Sequence, residues 1–162
     1  MIYTPWIWGE RAPVEDKNLR AGLYNLSLHN DRSDIIRAFL EGIAMNTRWL
    51  LEPVEKFLGQ QTSCIHMVGG GAQSNAWCRI FADVLQIPIK QVQDPMWTNA
   101  VGAAWLAAAG TGAITFDDIP GLIRFKEIYE PDPSRVSLYD EEFACFKQIY
   151  RRMKPVYARM NT

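Results

Sequence analysis

The 162-residue sequence is 48% hydrophobic and 12% aromatic, which supplies one domain with a real apolar core and excludes a disordered chain. Its formal net charge of -1 gives no global attraction to nucleic acid or to an anionic membrane. Cys64, Cys78 and Cys145 are scattered and form no CxxC pair. With only His29 and His66 beside them they argue against a zinc site and read as small core residues of a reducing compartment.

The N-terminal MIYTPWIWGER lacks the charged and apolar regions of a signal peptide. The longest apolar stretch, around AVGAAWLAAAG, is about half of what spans a bilayer, so the expectation is a soluble, cytoplasmic chain with no membrane partner. YTPWIWGERAPVEDKNLRAG has no sustained period and reads as an ordered loop with aromatic anchors. From Asp34 onward Ile36, Leu40, Ile43, Thr47, Leu50, Leu51 and Val54 recur at helical spacing, with Asp31 or Ser33 as N-cap and a close near Phe57 to Gly59.

SCIHMV is a short strand signal ended by Gly69, Gly70 and Gly71. Ser74 or Asn75 can cap a second helix with Trp77, Ile80, Phe81, Val84 and Leu85 on one face, stopped by Pro88. IPIKQV reads as a second strand and Asp94-Pro95 as a turn. A third helix, Asn99 to Ala109, has Thr98 as cap, Gly110 at its end, and a face of Ala100, Ala103, Ala104 and Ala107 that lets another backbone come close. After the polar stretch YEPDPSRVSLYDEE, a last helix carries Phe143, Phe146, Ile149, Tyr150, Met153 and Tyr157, with Arg151, Arg152 and Lys154 suited to its C-terminus. The order is α/β, the two strands being parallel. Two such strands make an incomplete sheet, because parallel strands are buried among neighbours.

Strand, glycine turn and helix N-terminus together make an anion or nucleotide site. A Walker loop is excluded, since HMVGGGAQSN has no lysine there. A dinucleotide fingerprint is matched in part by Gly69, Gly71 and Asp94, but Ser74 stands where its third glycine belongs. The alternative to any ligand is a tight strand-to-helix turn packed against other backbone, with Ser74 and Asn75 as simple caps.

VGGGAQSNAWCRIFADVLQIPIKQV followed by TNAVGAAWLAAAGTGAI resembles the C-terminal domain of the FGGY family of carbohydrate kinases, nearest to its xylulokinases. GERAPVEDKNLRAGLYNLSL resembles the family's loop at Gly9, Glu10, Arg11, Pro13, Asp16 and Arg20. The segment from Ala21 to Ala44 resembles its second signature at Leu23, Leu26, Asp34, Ile35, Ala38, Leu40 and Glu41, departing at Asn25 and Phe39. The resemblance implies an actin-like, ribonuclease-H-like ATPase fold, incomplete here: residues 1–162 as one partial C-terminal domain, without the N-terminal sugar-binding domain. It implies that Gly69, Gly70, Gly71 and Ala72 pass the ribose and α-phosphate of ATP, with Ser74 and Asn75 at the adenine edge and the alanine-faced helix packed behind the turn.

The family's catalytic aspartate, its Asp-Gly-Thr-like phosphate loops and most sugar contacts lie upstream of the matching region. None of Asp16, Asp31, Asp83, Asp94, Asp117 or Asp118 stands in the base's context. No catalytic or metal-binding residue is therefore assigned, Mg²⁺ is expected to be held elsewhere, and the isolated chain is expected to lack kinase activity. Other readings are a non-catalytic interaction module, possible self-association as a homo-oligomer, or a subunit completed by a separate N-terminal half. Glu41 is expected in a structural ion pair, with Arg11 as candidate partner, and His66 as a core histidine. The six tryptophans read as core or interface residues.

Overall fold

The computed structural model describes residues 1–161. Strands β1 (Ile2–Thr4) and β2 (Gly22–Tyr24) pair antiparallel as a two-stranded ribbon. A long helix α1 (Arg32–Leu58) follows, then β3 (Ile65–Met67), α2 (Asn75–Leu85), β4 (Ile89–Val92) and α3 (Thr98–Gly110). The chain ends with a one-turn α4 (Ile119–Leu122), β5 (Phe125–Tyr129) and α5 (Val136–Met160). β4 is the centre of a three-stranded sheet, parallel to β3 as expected and antiparallel to β5. β1, β2 and β5 were not read as strands from the sequence.

Helix α1 starts where its caps dictate. The Asp31 carboxylate accepts from the Asp34 amide at 2.9 Å and the Asp34 carboxylate accepts from the Asp31 amide at 3.1 Å, a reciprocal capping box. Gly59, at φ 68°, ends it in the left-handed conformation. The face read from the large apolar residues is covered only in part: Leu40 and Leu51 pack against the core. Ala38, Gly42, Ala44 and Met45 are buried, whereas Ile36, Phe39, Ile43, Leu50, Val54 and Phe57 are exposed. The cause is β1, which crosses so closely that a Cβ at Gly42 would overlap the Tyr3 carbonyl oxygen.

Individual polar side chains of α1 reach α5. Arg48 pairs with Asp140, and Glu52 accepts from Lys147 at 2.6 Å. Glu41 accepts from Arg37 Nε at 2.7 Å and from the Tyr139 hydroxyl at 2.8 Å. Glu41 is thus structurally paired as expected, but with its helical neighbour Arg37 and not with Arg11. The aromatic anchors of the first loop also hold. Trp6 is wholly buried, packs edge-on against Trp49, Phe146 and Tyr150, and donates its indole N–H to Asn46 Oδ1 at 3.1 Å. Asn46 in turn donates to Glu10 Oε2 at 2.9 Å. Glu10 fixes the loop through this contact and through the Arg11 and Ala12 amides, not through the Arg11 guanidinium.

Several expectations are corrected. The alanine face of α3 is exposed at Ala100, Ala103, Ala104 and Ala107, and no residue of that helix is buried. His66 is exposed, its ring 4.7 Å from that of Phe125, because it points away from the face shared by Ile65 and Met67. Of the cysteines only Cys78 is a core residue; Cys145 is exposed. Of the tryptophans read as core or interface residues, Trp6 is in the core, and Trp8 and Trp97 are exposed. Helix α5 runs past Arg151, Arg152 and Lys154 to Met160, so these cations lie short of its end. Among the described residues no helix is long and apolar enough to cross a membrane.

Gly42→Ala is expected to lower the unfolding free energy by about 2 kcal/mol, since the added methyl has only backbone to push against; urea denaturation measures it.

Candidate functional site

The glycine turn leaves β3 at Met67 and enters α2 at Asn75. Its three glycines stand there for three different reasons. Gly69 has φ 80°, a conformation closed to most side chains, and donates its amide to the Pro95 carbonyl at 2.8 Å. Gly71 faces the Trp77 ring, whose nearest carbon would lie 2.7 Å from an added Cβ. That ring is held from behind, because Trp77 Nε1 donates to the Leu40 carbonyl of α1 at 3.2 Å. Gly70 is different. It is exposed, its φ is outside the left-handed region, and an added Cβ would meet nothing closer than Met96 Sδ at 3.7 Å. Nothing in the fold of the chain requires glycine at position 70.

The turn continues as a 3₁₀ segment, Gly70–Gln73, in which the Ser74 amide donates to the Gly71 carbonyl at 3.2 Å. Ser74 Oγ then accepts from the Trp77 amide at 3.2 Å, so Ser74 is the N-cap of α2 and Asn75 its first helical residue. Ala72 is wholly buried and its carbonyl accepts from Gln91 Nε2 at 2.6 Å. Gln91 also donates to Asn75 Oδ1 at 3.2 Å, and Lys126 Nζ donates to the same oxygen at 3.1 Å. The structure therefore brings Gly69, Gly70, Gly71, Ala72, Ser74 and Asn75 together on one turn and adds Gln91 and Lys126.

Those two were missed by reading the sequence. Gln91 had a visible signal: it shares a strand face with Ile89, so a polar amide had to point inward. Lys126 had none, because its strand was not legible. Below them the Tyr129 hydroxyl faces both Gln91 Oε1 at 3.3 Å and Glu127 Oε2 at 2.9 Å. Burial, helped by the hydrogen bond to Glu127, pushes the phenol up to about 12, so it keeps its proton at neutral pH.

Beside the turn lies a cavity of about 760 Å³ bordered by Gln73, Gln91, Asp94, Met96, Trp97 and Lys126. A second cavity of about 650 Å³, between Ile2, Tyr24, Leu138 and Met153, is more apolar but shares no lining residue with the turn. The turn offers amide donors, a carboxamide and an ammonium group. That set is suited to binding, and none of it is a nucleophile paired with a base. Among the described residues no three or more His, Cys, Asp or Glu side chains converge as metal ligands.

Residues 1–111 match the model of the FGGY family of carbohydrate kinases, C-terminal domain. A xylulose kinase of Staphylococcus epidermidis is 29% identical over 164 residues, taking in 100% of this chain and 33% of that protein. A glycerol kinase of Lactococcus lactis is 33% identical over 128 residues, covering 79% of this chain and 24% of its own. The crystal structure of xylulose kinase from Rhodospirillum rubrum matches with a TM-score of 0.80 at 32% identity, over 97% of this chain and 31% of that one. The chain thus spans about a third of the length of the curated relatives it matches.

The glycines should separate by stability. Gly71→Ala is expected to cost about 1–3 kcal/mol by displacing Trp77, and Gly70→Ala less than about 0.5 kcal/mol, as read from urea denaturation followed by far-UV circular dichroism.

Proposed function

The chain belongs to the FGGY family of carbohydrate kinases, and on that premise we propose that it is the part of such an enzyme that holds the adenosine end of ATP. Its mixed helix and sheet architecture is that of the family's C-terminal domain, an actin-like ATPase fold. The observation that carries the reading is Gly70. Its neighbours need to be glycine for the chain's own sake, whereas the space over Gly70 is left open to a ligand.

In this reading Gly69, Gly70, Gly71 and Ala72 lie beside the ribose and α-phosphate, and Ser74 and Asn75 reach the adenine edge. Ser74 caps α2 through its own Oγ, which leaves Asn75 as the freer polar contact. Bound ATP, accompanied by Mg²⁺, supplies the phosphoryl group. The residues of this chain bind and orient, and no proton transfer is assigned to them. The acceptor is a sugar or polyol hydroxyl. A pentulose, xylulose first, is the narrower proposal, supported by the xylulose kinase match over 100% of this chain and set against a glycerol kinase at similar identity and an erythritol kinase matching over 99% of it. A dinucleotide site has less support, because Ser74 spends its hydroxyl capping the helix where that fingerprint needs a third glycine.

A second reading, an interaction or split-enzyme subunit, is favoured by one observation. Along α1 Ile36, Phe39, Ile43, Leu50, Val54 and Phe57 are exposed on one side, while Arg48 and Glu52 reach α5 on the other. The two readings are compatible, since this apolar side and the glycine turn are different surfaces.

Isothermal calorimetry with ADP tests the first reading. Gly70→Ala is expected to weaken ADP binding about tenfold or more with an unchanged unfolding midpoint; equal affinity for both proteins overturns it. Static light scattering tests the second: the exposed apolar side predicts concentration-dependent association that Ile43→Glu reduces, whereas a clean monomer with an unchanged profile in the variant counts against it.

A further inference from the structure

We infer that Lys126 and Gln91 are positioning residues that lock the Asn75 carboxamide with its oxygen inward, so that Asn75 Nδ2 is the atom offered at the glycine turn as a donor to a ring nitrogen of a purine base. The inference rests on the nucleotide reading of the turn.

The orientation follows from donor and acceptor arithmetic. An ammonium group has three donors and no acceptor, so whatever Asn75 atom lies 3.1 Å from Lys126 Nζ has to be the oxygen. Gln91 gives the same answer independently. The Ala72 carbonyl can only accept, which fixes the Gln91 NH₂ end toward it at 2.6 Å, and the same NH₂ group lies 3.2 Å from Asn75 Oδ1. The Gln91 oxygen is left toward the Tyr129 hydroxyl, 3.3 Å away, which shares its single proton between that oxygen and Glu127 Oε2 at 2.9 Å. Reversing the Asn75 amide would set NH₂ against both NH₃⁺ and NH₂. Two donors on one oxygen leave the Asn75 amino group facing outward, and the described residues provide it with no acceptor.

A backbone irregularity delivers Lys126 to this place. Gln91 pairs with Glu127 and Val92 with Phe125, so the register slips by one residue and Lys126 is the extra residue of a β-bulge. In a regular strand Lys126 would project to the face opposite Glu127. A bulge re-aims the extra side chain, and such bulges are common beside binding sites. Lys126 also lies outside residues 1–111, so the family match does not reach it. An exposed lysine on a regular strand has no need of such a device; one that must hold a single oxygen at the start of a neighbouring helix does.

The test measures binding of ADP and of its 1-deaza, 3-deaza and 7-deaza analogues to the full chain and to Asn75→Ala, Lys126→Met, Lys126→Arg and Gln91→Glu. For the original chain one analogue is expected to bind about tenfold more weakly than ADP, the loss of one hydrogen bond. Asn75→Ala and Lys126→Met should shrink that penalty to less than about threefold, and Lys126→Arg should restore it. Gln91→Glu keeps shape and tests the second donor if larger changes unfold the chain. If Asn75→Ala removes the penalty but Lys126→Met and Gln91→Glu leave it intact, the lock is overturned while the nucleotide reading stands. A Lys126→Met protein that is less stable yet keeps the full penalty also overturns it, since that is a purely structural effect. If the chain binds no ADP, or Asn75→Ala binds every analogue as the original does, the nucleotide reading falls and the lock falls with it.

Discussion

A side-chain amide buried in the middle of a sheet must find partners for both of its ends, because each group left unsatisfied costs about 1–3 kcal/mol. Gln91 is such an amide, wholly buried on the central strand β4. Its NH₂ end is satisfied by the Ala72 carbonyl of the glycine turn, and its oxygen lies 3.3 Å from the Tyr129 hydroxyl of β5, whose proton it shares with Glu127. Satisfying one residue therefore ties the turn, the central strand and the last strand into one unit. The turn keeps its shape because β4 needs it to.

The other side of the turn is fixed by packing. Gly71 leaves room for the Trp77 ring, and Trp77 reaches back to the Leu40 carbonyl of α1. Helix α1 is in turn clamped by β1 at Gly42 and by ion pairs to α5. Most of these ion pairs are part-exposed and contribute modestly one by one. Their main effect is to decide which way the helix is rolled. With its small residues against β1 and Met45, Leu40, Trp49 and Leu51 toward the core, the remaining bulky apolar residues of α1 lie outside.

The glycine turn, the parallel pair β3 and β4, and the capping of α1 and α2 were legible, because each is written locally in residue types with one dominant use. The roll of α1 was not. Reading Ile36, Ile43, Leu50 and Val54 as the core face assumes that bulk points inward, and here the close approach of β1 demands Gly42 and Ala38 instead. The third helix misled in the same way, since its alanines mark a surface fit for close packing without saying what packs there. One residue of the candidate site was out of reach for a different reason. Asn75 lies on a helix that the sequence announces, whereas Lys126 reaches it through a one-residue slip in strand register, and a slip leaves no mark on residue periodicity.

The indole of Trp97, 68% exposed, stands on the short segment whose Pro95 carbonyl holds Gly69. The buried Trp6 and the half-covered Trp49, Trp77 and Trp105 contribute emission shifted toward shorter wavelength. Trp97 supplies a red-edge, quencher-accessible component from the rim of the cavity beside the turn. Trp8, equally open to acrylamide but stacked under Arg20 in the first loop, serves as an internal reference. The molecule thus carries its own optical reporter of the rim beside the turn, with no label to attach.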